Sequence, residues 1–274
     1  MDMSDFLLEF DLNSYHQLDE YALLSCQGYN YGNDSDWFGS FRGGLYGSYA
    51  RIHGVRSHYH AVHAWMPRPR FPSETEHHIA SLFFNMDSMI ECITYALNAF
   101  GFCASGEKEF RNVTCEKSLR KISPCDILGR PNANPAQSYL AEYDSYFPEV
   151  RKYWETNTAL INMIFEQHDV SKHRETVFTG GKCRTDPPVS FYESIGIDES
   201  NSSQTALFWP MEEIIIKRNP KMPRRDRIPQ PVEGRVLLEE LVPEFKIFVE
   251  ETGRLAVTDA KNNIELKVTE FEKA

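Results

Sequence analysis

The sequence predicts a mostly α-helical bundle, because three long stretches carry apolar residues at helical spacing. Amphipathic stripes of that length cannot be buried alone and must pack on one another. With 41% hydrophobic and 13% aromatic residues, the 274-residue chain has the material for a sizeable core.

The first 72 residues differ from the rest. An acidic, Tyr-rich start leads into YNYGNDSDWFGSFRGGLYGS and then a His-rich stretch, which suggests an irregular N-terminal cap (1–72) on a bundle domain (73–274). A helix over Leu45–Trp65 stays open, although Gly47 and Gly54 each lower its propensity by about 1 kcal/mol. The first clear helix spans about Thr75 to Phe102, through Leu82, Phe83, Met86, Met89, Ile90, Ile93, Leu97 and Phe100. Ser73 with Glu76 fits a capping box at its start, and Gly101 with Ser105-Gly106 ends it. A second pattern runs from about Pro135 to His168, through Leu140, Tyr143, Phe147, Val150, Trp154, Leu160, Ile161, Ile164 and Phe165. Pro148 kinks or splits it, since proline lacks the amide and clashes with the preceding turn. The loop TGGKCRTDPP follows, and Ile214–Ile216 could form a strand of a short hairpin. The third pattern covers about Gly234 to Asp259 with Val236, Leu237, Leu241, Phe245, Phe248 and Val249, and Pro243 marks an N-terminal turn.

No apolar run approaches the ~18 residues a membrane-spanning helix needs, and the start is acidic where a secretory signal is basic, so a cytoplasmic protein without membrane association is expected. The six cysteines are widely spaced with no Cys-x-x-Cys pair, which favours free thiols. A net charge of -11 opposes non-specific attraction to nucleic acid, which requires a local excess of Lys and Arg. KRNPKMPRRDR (217–227) is one candidate basic patch; a solvated, Pro-broken loop is the simpler reading of it.

The most distinctive polar cluster is EQHDVSKHRE, which ends the second helical pattern and contains His168, Lys172, His173 and Arg174. On a continuous helix the two imidazoles would stand about 140° apart, so a shared role requires the helix to end or distort there. Together with NMDSMIECITYALNAFGF, this segment resembles the HEPN superfamily of small helical bundles, over about residues 75–180. The resemblance implies two long packed helices, homodimerisation, and a metal-independent ribonuclease site in which an Arg and a His converge near the start of the last core helix. His173 matches the family's histidine as an acid or base. Gln167 and His168 stand where the family carries arginine, and His168 is the substitute polar partner.

Independently of the family, an imidazole with a pKa near 6.5 can take and return a proton at neutral pH, as phosphodiester cleavage by a ribose hydroxyl requires. Lys172 and Arg174 could stabilise the phosphorane charge. Gly180-Gly181 with Lys182 and Arg184 could cradle an anion, or simply turn the chain. The alternative for His168 and His173 is a C-terminal helix cap.

His53, His58, His60, His63, His77 and His78 form a second constellation. On a helix His60 and His63 share a face and are candidate metal ligands, yet no acid lies between Arg51 and Ser73 and the His-Glu-x-x-His spacing of metalloproteases is absent. No Walker phosphate loop, dinucleotide fingerprint or nucleophile elbow occurs, and no cofactor is expected. The sequence thus points to engagement or cleavage of RNA or a nucleotide by a homodimer. Two alternatives stay open, a non-catalytic interaction and dimerisation module and a His-rich metal-binding protein.

Overall fold

A computed structural model describes residues 8–26, 36–65, 72–129, 139–173, 178–180, 206–208 and 236–265. Among the described residues the chain forms nine helices: α1 (Asn13–Cys26), α2 (Asp36–Trp65), α3 (Pro72–Ala104), α4 (Glu116–Leu119), α5 (Cys125–Leu128), α6 (Leu140–Tyr146), α7 (Pro148–Thr156), α8 (Thr158–His173) and α9 (Leu238–Asn263). The mostly α-helical class is therefore the one the stripes predict. Three short strands, β1 (Phe178–Gly180), β2 (Ala206–Phe208) and β3 (Val236–Leu237), form an antiparallel sheet in that order. The strand expected at Ile214–Ile216 lies outside the described residues, as does the basic segment 217–227.

Two compact units divide the chain. One draws on Ile52–Asp87 and Asn162–Lys246, the other on Phe10–Arg51, Ser88–Ile161 and the chain from Ile247 onward.

The N-terminal region expected to be irregular carries α1 and α2 instead, and α2 extends well upstream of Leu45. Among its described side chains α2 buries Trp37, Phe41, Leu45, Ser48, Ile52, Val55, Tyr59 and Val62, a stripe at three- and four-residue intervals that covers one face. Tertiary packing here overrides the weak propensity of glycine. A Cβ on Gly44 would stand 2.8 Å from both the Ala96 amide nitrogen and the Cys92 carbonyl oxygen, so the absence of a side chain lets α2 approach the α3 backbone.

Helix α3 begins at Pro72, a residue preorganised for the first helical position, so Ser73 falls inside the helix rather than at its cap. It continues through Gly101, over which the Phe110 ring packs, and ends at Ala104. Gly106 takes a φ of 69°, and the amides of Gly106 and Glu107 donate to the Cys103 and Phe102 carbonyls, a Schellman closure that satisfies two terminal acceptors.

In the second unit, Trp37 stacks on Phe100 with centroids 6.1 Å apart, and Phe41 and Phe147 pack on the same ring. Trp154 donates from Nε1 to the Thr252 hydroxyl at 3.1 Å, and the Tyr15 hydroxyl donates to the Val249 carbonyl at 2.8 Å. These bonds satisfy the polar ends of aromatic rings that are otherwise enclosed. Arg111 makes a two-pronged ion pair with the buried Asp126, at 2.6 and 2.7 Å, while Asn98 brackets the Arg111 backbone by donating to its carbonyl and accepting from its amide. Pro148 splits the second helical pattern as expected: it opens α7 at the first position, where its missing N–H is no loss. The next two amides, of Glu149 and Val150, donate to Asp259 of α9 at 3.0 Å each, since Phe147 offers no capping side chain. Pro243 sits inside α9 rather than at its end, on the exposed side.

In the first unit, Val55, Tyr59, Val62, Ile79, Leu82, Phe83, Met86, Ile164, Leu241 and Phe245 are buried. Among the described residues no helix is long and apolar enough to cross a membrane. Cys92, Cys115 and Cys125 are free thiols.

Candidate functional site

Helix α8 buries Ile164, Gln167 and His168 on one face. His168 follows Ile161 and Ile164 at helical spacing, so the fold turns its imidazole inward with the apolar residues. There it meets Asp87 of α3, whose Oδ2 contacts the His168 Nδ1. The two side chains are 11% and 13% exposed, enclosed but still reached by solvent. Phe84, one turn before Asp87 on α3, sets its ring edge-on to the imidazole with centroids 5.5 Å apart, and is itself 40% exposed.

An ionised carboxylate can only accept, so the contact places a proton on Nδ1 of His168 and fixes the ring's orientation. Next to it, Gln167 is 1% exposed, and its Oε1 meets no hydrogen-bond donor among the described residues. The pair therefore has the parts of an oriented acid–base group, with a polar side chain and an aromatic edge beside it.

The residues named from the sequence fare differently. His168 is not a C-terminal cap: it lies more than a turn before the end of α8 and is paired to Asp87. The helix runs unbroken through position 173, so positions 168 and 173 stand about 140° apart around its axis, and no distortion brings them together. At Lys172 and His173 the described residues give the helical backbone alone, and Arg174, Lys182 and Arg184 lie outside them. Asp87 and Phe84 were not anticipated. A lone acid between the buried Met86 and Met89 was the available signal, but its partner is 81 residues away.

The histidine constellation resolves into a different set from His60 with His63. His58 of α2 and His78 of α3 face each other with their Nδ1 atoms 3.0 Å apart, and His77 is the third ring of the group. Burial first, then the neighbouring His78 and His77, push the His58 pKa below its ordinary value. His60 lies outside this group, its pKa lowered by burial and by Arg56, and the side chain of His63 is outside the described residues. Among the described residues, no three His, Cys, Asp or Glu side chains converge as a ready metal cage.

No family model, curated protein or solved structure matches the chain.

Proposed function

We propose that the protein engages RNA and acts on it by metal-independent acid–base chemistry at His168, in a HEPN-like cytoplasmic homodimer. The observation that carries this reading is the His168–Asp87 pair, an imidazole whose proton position is set by a carboxylate on a neighbouring helix. In this reading His168 removes the proton from a ribose 2′-hydroxyl attacking the adjacent phosphorus. Cleavage leaves a cyclic phosphate and a 5′-hydroxyl, and the leaving oxygen takes a proton from a second acid, the role assigned to His173 of the other copy in the homodimer, because within one chain positions 168 and 173 stand about 140° apart on α8. Lys172, Arg174, Lys182 and Arg184 supply the positive charge that a phosphate requires in a chain of net charge -11.

The test is cleavage of unstructured RNA in chelator-containing buffer by the wild type, His168→Gln, Asp87→Asn and His173→Ala. The expected result is cutting by the wild type, no cutting by the His168 and His173 variants, and a rate lowered by about 10²–10⁴ in Asp87→Asn, which keeps the shape but not the charge. Equal cleavage by the wild type and His168→Gln refutes the assignment.

A second reading, a non-catalytic interaction and dimerisation module, draws support from large apolar side chains left on the surface: Ile247 is 61% exposed, Tyr46 53% and Leu24 46%. It expects no turnover in the same assay and a dimer whose dissociation constant rises when Ile247 is changed to Lys.

A further inference from the structure

The histidine group on α2 and α3 is independent of the His168 site, since His78 and Asp87 are nine residues apart on one helix, about 14 Å along its axis. It is assembled from residues 20 apart in the chain, His58 and His78, on helix segments fixed by buried neighbours: Val55, Tyr59 and Val62 on one, Ile79 and Leu82 on the other. The backbone positions of the two rings are thus set by the core rather than by the imidazoles themselves.

We propose that His58 and His78 form a two-imidazole binding site for a borderline divalent transition-metal ion of the zinc, nickel and copper class. The argument is geometric. Imidazole nitrogen binds such ions at about 2.0–2.1 Å, so two nitrogens on one ion are separated by about 2.9 Å at a right angle and about 3.4 Å at a tetrahedral angle. The Nδ1 atoms stand 3.0 Å apart, inside that interval, so the two nitrogens need not change their separation to share one ion, and each ring has only to tilt until its lone pair points at the ion rather than at the other nitrogen.

Without metal the same distance is a hydrogen bond, in which one Nδ1–H donates to the other Nδ1. Metal replaces that shared proton: the donor ring shifts its proton to Nε2, both Nδ1 lone pairs then face the ion, and no proton is released. Both rings are half-buried, and His77 is exposed beside them with its ring centroid 5.5 Å from that of His78. Water fills the remaining positions. The donor set is nitrogen only, which suits borderline ions over calcium or magnesium, whose ligands are oxygen.

The site differs from the pair expected from sequence spacing, His60 with His63, and the experiment separates the two. The full chain, stripped of metal with chelator and desalted, is titrated calorimetrically with nickel sulfate, beside His58→Gln, His78→Gln and the double variant His60→Gln/His63→Gln. We expect one nickel site in the wild type, retained in the His60/His63 variant and weakened at least tenfold in each of the other two. Binding unchanged in His58→Gln or His78→Gln, binding lost in the His60/His63 variant, or no nickel binding by the wild type overturns the proposal.

A second measurement needs no variant and therefore no assumption that glutamine is tolerated. Paramagnetic nickel added to the isotope-labelled wild type should broaden amide resonances centred on residues 58 and 78; broadening centred elsewhere is the contrary result. Because the RNA assay is run in chelator, failure of either proposal leaves the other standing.

Discussion

Replacing Asp259 by Asn isolates the effect of burying a carboxylate at the start of α7. Asp259 is 1% exposed, and its Oδ2 accepts both free amides that follow Pro148. Two effects oppose each other. The N–H donors and the positive helix end favour the charged form, while burial and the nearby Glu149 charge disfavour it. Burial is the larger, and the carboxyl is raised from 3.8 to about 6.

The folded chain then holds this proton more tightly than the unfolded chain by a little over two powers of ten, about 3 kcal/mol. Between the two values the folded state binds more protons, so this group's contribution to stability rises as pH falls from about 6 towards 3.8. Above 6 its destabilising effect is fully present. Asn cannot titrate but keeps an accepting carbonyl for the amides. We expect Asp259→Asn to be about 1–3 kcal/mol more stable than the wild type near pH 7.5, with the advantage vanishing by about pH 4. Urea unfolding of both proteins across that range measures it, because titrations common to the two cancel in the difference. An Asn variant that is less stable near pH 7.5, with the wild type losing its lead on acidification, would refute the reasoning: the amides and the helix end would then outweigh burial.

Three further outcomes follow from the packing. Gly44→Ala should cost about 1–3 kcal/mol in thermal or urea unfolding, since its Cβ meets α3 backbone that cannot swing away. Gly43→Ala, with open space around it, should be neutral or stabilising by up to about 1 kcal/mol; equal effects of the two would show that α2 is not closely apposed to α3. Asp126→Ala strands the Arg111 guanidinium, 12% exposed, and should cost about 3–5 kcal/mol, against a much smaller loss in the paired change Arg111→Met/Asp126→Leu, measured in the same unfolding assay. Under native conditions a thiol reagent should label Cys115 first and Cys92 and Cys125 more slowly, in the order of their burial; mass spectrometry of partially labelled chain would show Cys92 labelled as fast as Cys115 if α3 opened readily.

By itself the sequence determined the helices whose stripes are built from ordinary apolar side chains. Met86, Met89, Ile90 and Ile93 on α3, and Leu241, Phe245, Phe248 and Val249 on α9, are buried as their spacing requires. Pro148 breaks its helix because a proline ring cannot continue it, a purely local rule. Helix α2 was concealed because glycine counts against a helix locally. Its signal lay in the seven-residue recurrence of Phe41, Ser48, Val55 and Val62 with Leu45, Ile52 and Tyr59.

The candidate sites were legible only in half. The spacing of Ile161, Ile164 and His168 shows His168 turning inward, and the histidines of α2 are plain in the sequence. Which side chain each one meets was decided by tertiary structure. Periodicity fixes the face of a helix, whereas a pair such as His168 with Asp87, or His58 with His78, depends on the register in which two helices pack.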